Sequence, residues 1–380
     1  MNTSTPPRIL HITRNLPPLV GGMERLNWHI ADELSRYAQV QLIGPEGSAA
    51  LRPAAVPMTE VQLRPLPRFL LASAWQAVTV ARHFQPHIVL AGSGLTAPAA
   101  WLAARSSGAR AHVYLHGLDA AVQHPVYQAI WHSAIRHMDG VIANSQPTAE
   151  LVRNLGIATN KIRIVHPGVT LPVAPQSAMA LENFRQRHQL GDKRLLLSVG
   201  RLTTRKGLRE FVQHALPSIV QAAPDTLLTV VGEAPADSLH ASVQTRSSIQ
   251  AVADAAGIGQ HLRFLGVITD PKELARAYES AALHIFPVRH LPGDPEGFGM
   301  VAIEAAAHGL PTVAFATGGI VDAVAEGRSG YLVPPGNYPA LAQAVLHVLT
   351  DGTGAWEART FAAQFAWPKL GAKMREALQI

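Results

Sequence analysis

The 380-residue chain contains no cysteine. Disulfides, thiolate metal sites, cysteine nucleophiles and iron–sulfur clusters are excluded together, and the absence agrees with a reducing compartment. Charge is also sparse. Asp, Glu, Lys and Arg make up 15% of residues against 48% hydrophobic ones, a composition for packed cores rather than disorder. No run reaches the roughly 18–20 uninterrupted apolar residues that a membrane span needs. The longest suggestive stretch, residues 69–81, is interrupted by Ser73, Gln76 and Thr79. The opening residues lack a charged segment followed by a long apolar run, so no secretory leader is expected. Gly and Pro, 30 and 28 residues, are too few for a collagen-like chain and too many for a coiled coil. These absences point to a soluble cytoplasmic protein, with at most a peripheral hold on the cytoplasmic face of a membrane.

What is present is a repeated alternation. Short apolar runs over 8–13, 40–43, 88–91, 111–115 and 141–143 read as strands, with helical patterns over 23–37, 95–105 and 127–137 between them. The second half repeats this, with strands over 195–199, 227–231, 262–264, 283–286 and 312–315 and helices over 208–221, 271–280 and 338–349. Strands alternating with helices of this length mean right-handed βαβ units and parallel sheets. Residues 167–178, PGVTLPVAPQSA, hold three prolines and no charge and read as a link between two α/β halves. Open parallel sheets bind ligands beyond the carboxyl ends of their strands, so a ligand cleft between the halves is expected.

The net charge of +6 is unevenly placed. Residues 1–168 carry 14 Lys or Arg, 13 of them Arg, against 8 Asp or Glu, whereas residues 169–380 carry 18 of each. Guanidinium groups bind phosphates in a bidentate way, so an arginine-rich half suits anionic partners as well as a solvated surface. An apolar helix expected over 66–83 lies between Arg64 and Arg68 on one side and Arg82 on the other. It reads either as a cover for the sheet or as an interfacial helix on anionic lipid.

Several motifs follow strands. Residues 296–304, EGFGMVAIE, enter a helix through Gly297 and Gly299, where unpaired N–H groups form an anion site. Two carboxylates, Glu296 and Glu304, beside an anion site suit the binding of hydroxyls such as those of sugars. Residues 200–207, GRLTTRKG, place Arg201 and Lys206 on one loop after a strand, where both can meet one phosphate pair; the spacing is not that of a Walker loop. Gly21 and Gly22 open a long helix and allow close approach of a ligand. His116 ends a strand of the first half, with His112 on the same side; no HExxH or carboxylate partner supports a metal pair, and His112 reads as structural. Residues 92–97, GSGLTA, match GxGxxA, but on a late strand and without an acid about 20 residues on, which argues against a nicotinamide site.

In this order the motifs resemble those of the retaining, nucleotide-sugar-dependent glycosyltransferases of family 4, group 1. The pieces are EGFGMVAIE at 296–304, GRLTTRKG at 200–207, TGGIVDAVAEGRSGYLVPPG at 317–336, VIANSQPTAELV at 141–152 and IRIVHPGV at 162–169. The resemblance implies the GT-B architecture, two Rossmann-like domains with parallel sheets facing across a cleft. It places an acceptor-side domain over 1–168, a linker over 169–183, a nucleotide-sugar domain over 184–352 and a C-terminal helix over 353–380 packing back on the first domain. It implies that Arg201 and Lys206 hold the donor diphosphate and that Glu296 binds the transferred sugar. The amides of Phe298, Gly299, Met300 and Val301 would bind sugar hydroxyls and phosphate, and Glu304 the ribose. Gly22 would admit the diphosphate, His116 would contact the sugar, and the base would lie near Gly266 and Val267. Gly318, Gly319 and Ile320 would stand behind the donor.

The resemblance further implies transfer with retention of configuration and without a bound metal, a nucleotide sugar as co-substrate, and a glycan or lipid-linked acceptor in bacterial polysaccharide or glycolipid assembly. No nucleic-acid partner is expected. Two other readings stay open on the sequence: a nucleotide-sugar 2-epimerase of the same architecture, and a non-catalytic sugar-nucleotide binder.

Overall fold

In the computed structural model, which describes residues 6–235, 243–351 and 357–380, the chain divides into two units. One comprises Met1–Gly168 with Phe365–Ile380, the other Val169–Gln364. The first holds a seven-stranded parallel sheet of β1 (Arg8–Ile12), β2 (Gln39–Pro45), β3 (Met58–Val61), β4 (Ile88–Ala91), β5 (Arg110–Leu115), β6 (Gly140–Ala143) and β7 (Ile162–Ile164), in the order β3-β2-β1-β4-β5-β6-β7. The second holds β8 (Arg194–Val199), β9 (Thr226–Val231), β10 (Leu262–Gly266), β11 (Leu283–Phe286), β12 (Thr312–Phe315) and β13 (Gly330–Val333), in the order β10-β9-β8-β11-β12-β13. Both are parallel α/β sheets, as the alternation of strands and helices predicts.

Central strands such as β4, with all four residues buried, read as unbroken apolar runs because helices cover both faces of the sheet. The Gly22–Ser35 helix turns Leu26, Ile30 and Leu34 inward at four-residue spacing, and all three are at most 1% exposed. Each such side chain contributes about 1.5–3 kcal/mol of burial free energy. Where the Leu66–Phe84 and Ala97–Ser107 helices share one core, they do so through Ala77, Ala81, Ala100, Ala103 and Ala104. Side chains this small let helix backbones approach closely.

In each unit the order of strands reverses once, between β1 and β4 and between β8 and β11. At such a reversal the loops leaving the two neighbouring strands part to opposite faces, and a crevice opens at their carboxyl ends. The motif residues fall on these loops: Gly22 after β1, Arg201 and Lys206 after β8, and Glu296 to Val301 after β11.

Some elements differ from expectation. Three strands, β3, β7 and β13, stand outside the expected set; all are edge strands of three or four residues. The helix expected over 208–221 is two, Leu208–His214 and Leu216–Ala222. Pro217 has no N–H to continue the ladder, and its ring would clash with the carbonyl four residues back. The helix expected over 127–137 contains a π turn at Gln128–His132. The expected linker is shorter, because Ser177 accepts from the Ala180 N–H and starts the Ala178–Arg187 helix.

The expected C-terminal segment over 353–380 is divided. Its residues 353–356, like residue 352 before it and residues 1–5 of the expected first domain, lie outside the described residues. The Ala358–Ala362 helix belongs to the second unit, where the Arg359 guanidinium donates to the His308 carbonyl at 3.4 Å. Only the Trp367–Leu378 helix packs in the first unit. There the Trp367 ring stacks on His29 at 3.7 Å, and Arg110 donates to the Leu378 carbonyl at 2.9 Å.

Candidate active site

Lys206 ends a single turn of 3₁₀ helix, Thr204–Lys206, after β8. The next residue, Gly207, has φ 69°, and a Cβ there would strike the Pro287 carbonyl oxygen of the loop after β11. This close approach joins the two loops on either side of the sheet's reversal. The Arg289 N–H, donating to the Arg205 carbonyl at 2.8 Å, adds a second link.

Across the junction Glu296 meets two cations. Its Oε2 accepts from Arg205 Nη1 at 2.6 Å and from Lys206 Nζ at 2.9 Å. All three side chains are mostly buried, at 15%, 18% and 11% exposure for Arg205, Lys206 and Glu296. Burial alone pushes the Glu296 carboxyl up, but Arg205 and Lys206 outweigh it and hold the group at about 2. Burial pushes the Lys206 ammonium down, with Glu296 opposing the shift. Lys206 also lies over the Phe286 ring, 4.6 Å from its centroid. Glu296 Oε1 has no hydrogen-bond partner among the described residues. Arg201 is exposed and, among the described residues, makes no hydrogen bond or ion pair.

The Met300–Ala307 helix starts at this place. Gly299 caps it with φ 89° and ψ 53°, and a Cβ there would press on the Phe286 ring at 2.8 Å. The N–H groups of Met300 and Val301, in the first turn, have no acceptor within the helix. Phe298, just before the turn, is buried at 3% exposure. The Gly319 N–H donates to the Glu296 carbonyl at 2.9 Å and ties residues 317–320 to the same loop. Glu304 is buried on the second turn, where it accepts from the Tyr278 hydroxyl at 3.1 Å. A cavity of about 220 Å³ lies at the ends of β9 and β10, lined by Leu202, Gly232, Glu233, Arg246, Phe264 and Gly266 among others. Arg246 stands over the Phe264 ring at 5.1 Å. Gly266 is in this lining; Val267 is 53% exposed and stands outside it.

Gly22 and His116 belong to the first unit. Gly22 is the first residue of its helix, and the adjoining Glu24 accepts from Asn15 at 2.7 Å. His116 follows β5. Its Nε2 meets the Gly92 carbonyl at 2.9 Å, and its backbone N–H donates to Asp119 Oδ2 at 3.2 Å. Because a carbonyl only accepts, Nε2 carries the proton, and in the neutral ring Nδ1 is left as the acceptor. Gly92 lies over His11, which is buried, 3.0 Å from Asn27 Oδ1, and pushed down to about 4 by burial. His112 is also buried and held at about 4, first by burial. Among the described residues no group of three or more His, Asp or Glu is placed to hold a metal ion.

The structure thus brings Lys206, Glu296, Phe298, Gly299, Met300, Val301 and Glu304 together in the second unit, with Arg201 on the same loop. Gly22 and His116 stand in the other unit. Sequence reasoning missed Arg205, which pairs with Glu296, Tyr278, which holds Glu304, and Asp119, which holds the turn after His116. Arg205 had a signal: two adjacent cations before Gly207, and two acids, Asp294 and Glu296, in the Pro- and Gly-rich loop.

The chain matches two family descriptions, "Glycosyltransferase Family 4" over residues 20–171 and "Glycosyl transferases group 1" over residues 193–351. It is 27% identical over 389 residues to the GDP-mannose-dependent alpha-(1-6)-phosphatidylinositol monomannoside mannosyltransferase of Mycobacterium tuberculosis, covering 98% of both chains. It is 32% identical over 241 residues to a D-inositol 3-phosphate glycosyltransferase of Catenulispora acidiphila, covering 60% of this chain and 53% of that one. Its fold is similar to that of HepE from Anabaena, solved in complex with UDP, with a TM-score of 0.82, 20% identity and coverage of 98% and 99%. One family match falls in each unit, the full-length relative is a glycosyltransferase, and both sheets are of the GT-B kind: the chain belongs to the family 4, group 1 glycosyltransferases.

Proposed function

We propose that this glycosyltransferase moves a hexose from a UDP- or GDP-linked donor to a glycan or lipid-linked acceptor, with retention of configuration. The observation that carries the reading is Lys206 beside the amino-terminal end of the Met300–Ala307 helix, at the reversal point of the second sheet. As the glycosyl–phosphate bond breaks, negative charge grows on the departing diphosphate. Lys206, Arg201 and the free N–H groups of Met300 and Val301 meet that charge as it grows, so they favour the transition state over the ground state.

Glu296, ionised, has Oε1 left for hydroxyls of the transferred sugar. Glu304 serves the ribose, and the cavity at Gly266 takes the base. Retention requires no protein nucleophile when attack comes from the face of departure. The acceptor oxygen bonds to the anomeric carbon as the phosphate leaves, and that phosphate takes the acceptor's proton. We assign the charge compensation to protein groups and expect transfer without a bound metal. Activity abolished by EDTA and restored by Mg²⁺ or Mn²⁺ would sink that part.

The donor is tested by thermal shift with a panel of UDP- and GDP-sugars, followed by transfer assays with the anomer read by NMR. Stabilisation by none of them would remove the reading. The GDP-mannose dependence named for the mycobacterial relative puts GDP-mannose first in the panel.

For the acceptor side we propose the first unit and an anionic membrane surface at the cytoplasmic face. No helix among the described residues is long and apolar enough to cross a membrane. The Leu66–Phe84 helix, however, leaves Leu71 and Trp75 exposed at 74% and 66%. Arg68, Leu71, Trp75 and Arg82 recur at helical spacing along one outward stripe, all exposed, with Arg64 exposed just before the helix. Each basic residue near an anionic surface contributes about 1 kcal/mol, enough for reversible docking. Co-sedimentation with anionic but not neutral liposomes, weakened by salt and by Arg64, Arg68 and Arg82 replaced with Ser, is expected. Protein left in the supernatant at low salt would end the membrane part and leave the donor part standing.

A further inference from the structure

Two cations share one oxygen of Glu296, and they are held differently. Arg205 has its Nε 3.3 Å from Asp294 Oδ1, donates through Nη1 to the Pro295 carbonyl at 3.4 Å, and accepts at its own carbonyl from the Arg289 N–H. It is fixed to the Glu296 loop at three successive residues and to the loop after β11 by its backbone. Lys206 Nζ reaches Glu296 and the Phe286 ring, and both contacts can be given up by rotating one flexible side chain. A mostly buried carboxylate stripped of every cation is strongly penalised, whereas one that keeps a fixed, hydrogen-bonded guanidinium is not.

We propose that Arg205 is a positioning residue for donor binding. It keeps Glu296 ionised and in place, so that Lys206 can leave that carboxylate for the phosphates of the donor. The inference rests on the reading above that a nucleoside diphosphate reaches Lys206. Without Arg205, Lys206 has to serve Glu296 and the diphosphate at once, and diphosphate binding suffers. When Glu296 is neutral as well, the conflict disappears. A residue that only braced the loop would give no such recovery, because a second substitution in the same network would add damage.

The test is calorimetric titration of GDP and UDP into the wild-type protein, Arg205→Gln, Arg205→Lys, Glu296→Gln and the Arg205→Gln/Glu296→Gln double variant, each checked for folding by its thermal melt. Arg205→Gln is expected to weaken the better-bound nucleotide by about tenfold or more, with Arg205→Lys in between. Glu296→Gln sets the reference for the neutral site, and the double variant is expected to lie within about threefold of it. In transfer assays Arg205→Gln should raise KM for the donor more than it lowers kcat. Wild-type affinity in Arg205→Gln, or a double variant as weak as Arg205→Gln, overturns the role of Arg205 and leaves the donor reading intact. Wild-type protein that binds neither nucleotide overturns the donor reading and this inference with it. If Arg205→Gln does not fold, the same comparison is made between Arg205→Lys and Arg205→Lys/Glu296→Gln.

Discussion

The two sheets reverse their strand order at corresponding places, β1/β4 and β8/β11, and the chemistry gathered there differs. At β8/β11 the side chains are ions paired with one another: Arg205, Lys206, Glu296 and Asp294. At β1/β4 the His116 ring meets the Gly92 carbonyl, behind which lie the Asn27 amide and a His11 imidazole kept uncharged by burial, and a single carboxylate, Asp119, takes the His116 backbone N–H. The same topology supplies a crevice in both. What the loops carry decides whether the crevice stabilises charge or orients hydroxyls, which is why fold alone does not specify function.

The comparison breaks most plainly at Lys206. If the second unit's crevice exists to meet developing phosphate charge, Lys206→Ala should reduce kcat by about 10²- to 10³-fold, on the order of 3–4 kcal/mol. The fold should persist, since the residue it strands, Glu296, keeps Arg205. Near wild-type turnover in a folded Lys206→Ala variant would mean that the ion cluster is structural and that the two crevices differ in composition without differing in task.

Acid sharpens the comparison by a smaller amount. Burial holds His11, His112 and, with Arg25 and Arg36 beside it, the partly buried His29 of the first unit at about 4 and His284 of the second at about 3, all below the ordinary 6.5. The unfolded chain takes up these protons near pH 6.5 and the folded chain only near 3–4. The stability that each neutral imidazole contributes is therefore complete above pH 6.5 and is lost as pH falls toward the folded value. Each is worth about 1.4 kcal/mol per pH unit in that window. Glu296 acts lower: its contribution is complete above the ordinary 4.5 and is lost as pH falls toward about 2. With two buried histidines against one, and the partly buried His29 adding to the first side, the first unit should lose roughly 2 kcal/mol or more beyond the second between pH 6.5 and 5. Hydrogen exchange read by peptide at pH 7.5 and 5 checks this; equal loss of protection in both units would contradict it.

Much of the fold was legible because parallel strands buried on both faces are written as apolar runs, and the runs 88–91, 283–286 and 312–315 coincide with β4, β11 and β12. Three of the four edge strands were not, and of these β7 carries Arg163 and β3 Glu60 in three or four residues, so neither pattern stands out from loop sequence. Lys206 and Glu296 were visible through their motifs, but their pairing was not: 90 residues separate them. The bond from His116 to the Gly92 carbonyl spans 24 residues and involves no side chain at Gly92, so no residue type announces it. Arg205 was hidden by its neighbour, since a sequence gives two adjacent cations the same appearance even when one is fixed and the other is free to move.

The smallest expected effect concerns which nitrogen of His116 does the work. The ring donates from Nε2 to the Gly92 carbonyl, so Nε2 is occupied inside the unit and Nδ1 is the atom left for a substrate hydroxyl. Asparagine sets its amide oxygen near the place of Nδ1 but cannot reach Gly92. Glutamine extends to the place of Nε2 and can keep the Gly92 bond, with nothing at Nδ1. If Nδ1 touches substrate, His116→Asn should retain more kcat than His116→Gln, by about fivefold to tenfold, or roughly 1 kcal/mol for a single hydrogen bond. If the Gly92 bond matters only for holding the turn, His116→Gln should be the better enzyme and the more stable protein. Thermal melts should rank the Gln variant above the Asn variant in either case, because only Gln can keep the Gly92 bond, so the order of kcat separates the two cases. A first unit that orients hydroxyls through neutral groups requires the first order; the reverse order would move the acceptor-side chemistry away from His116.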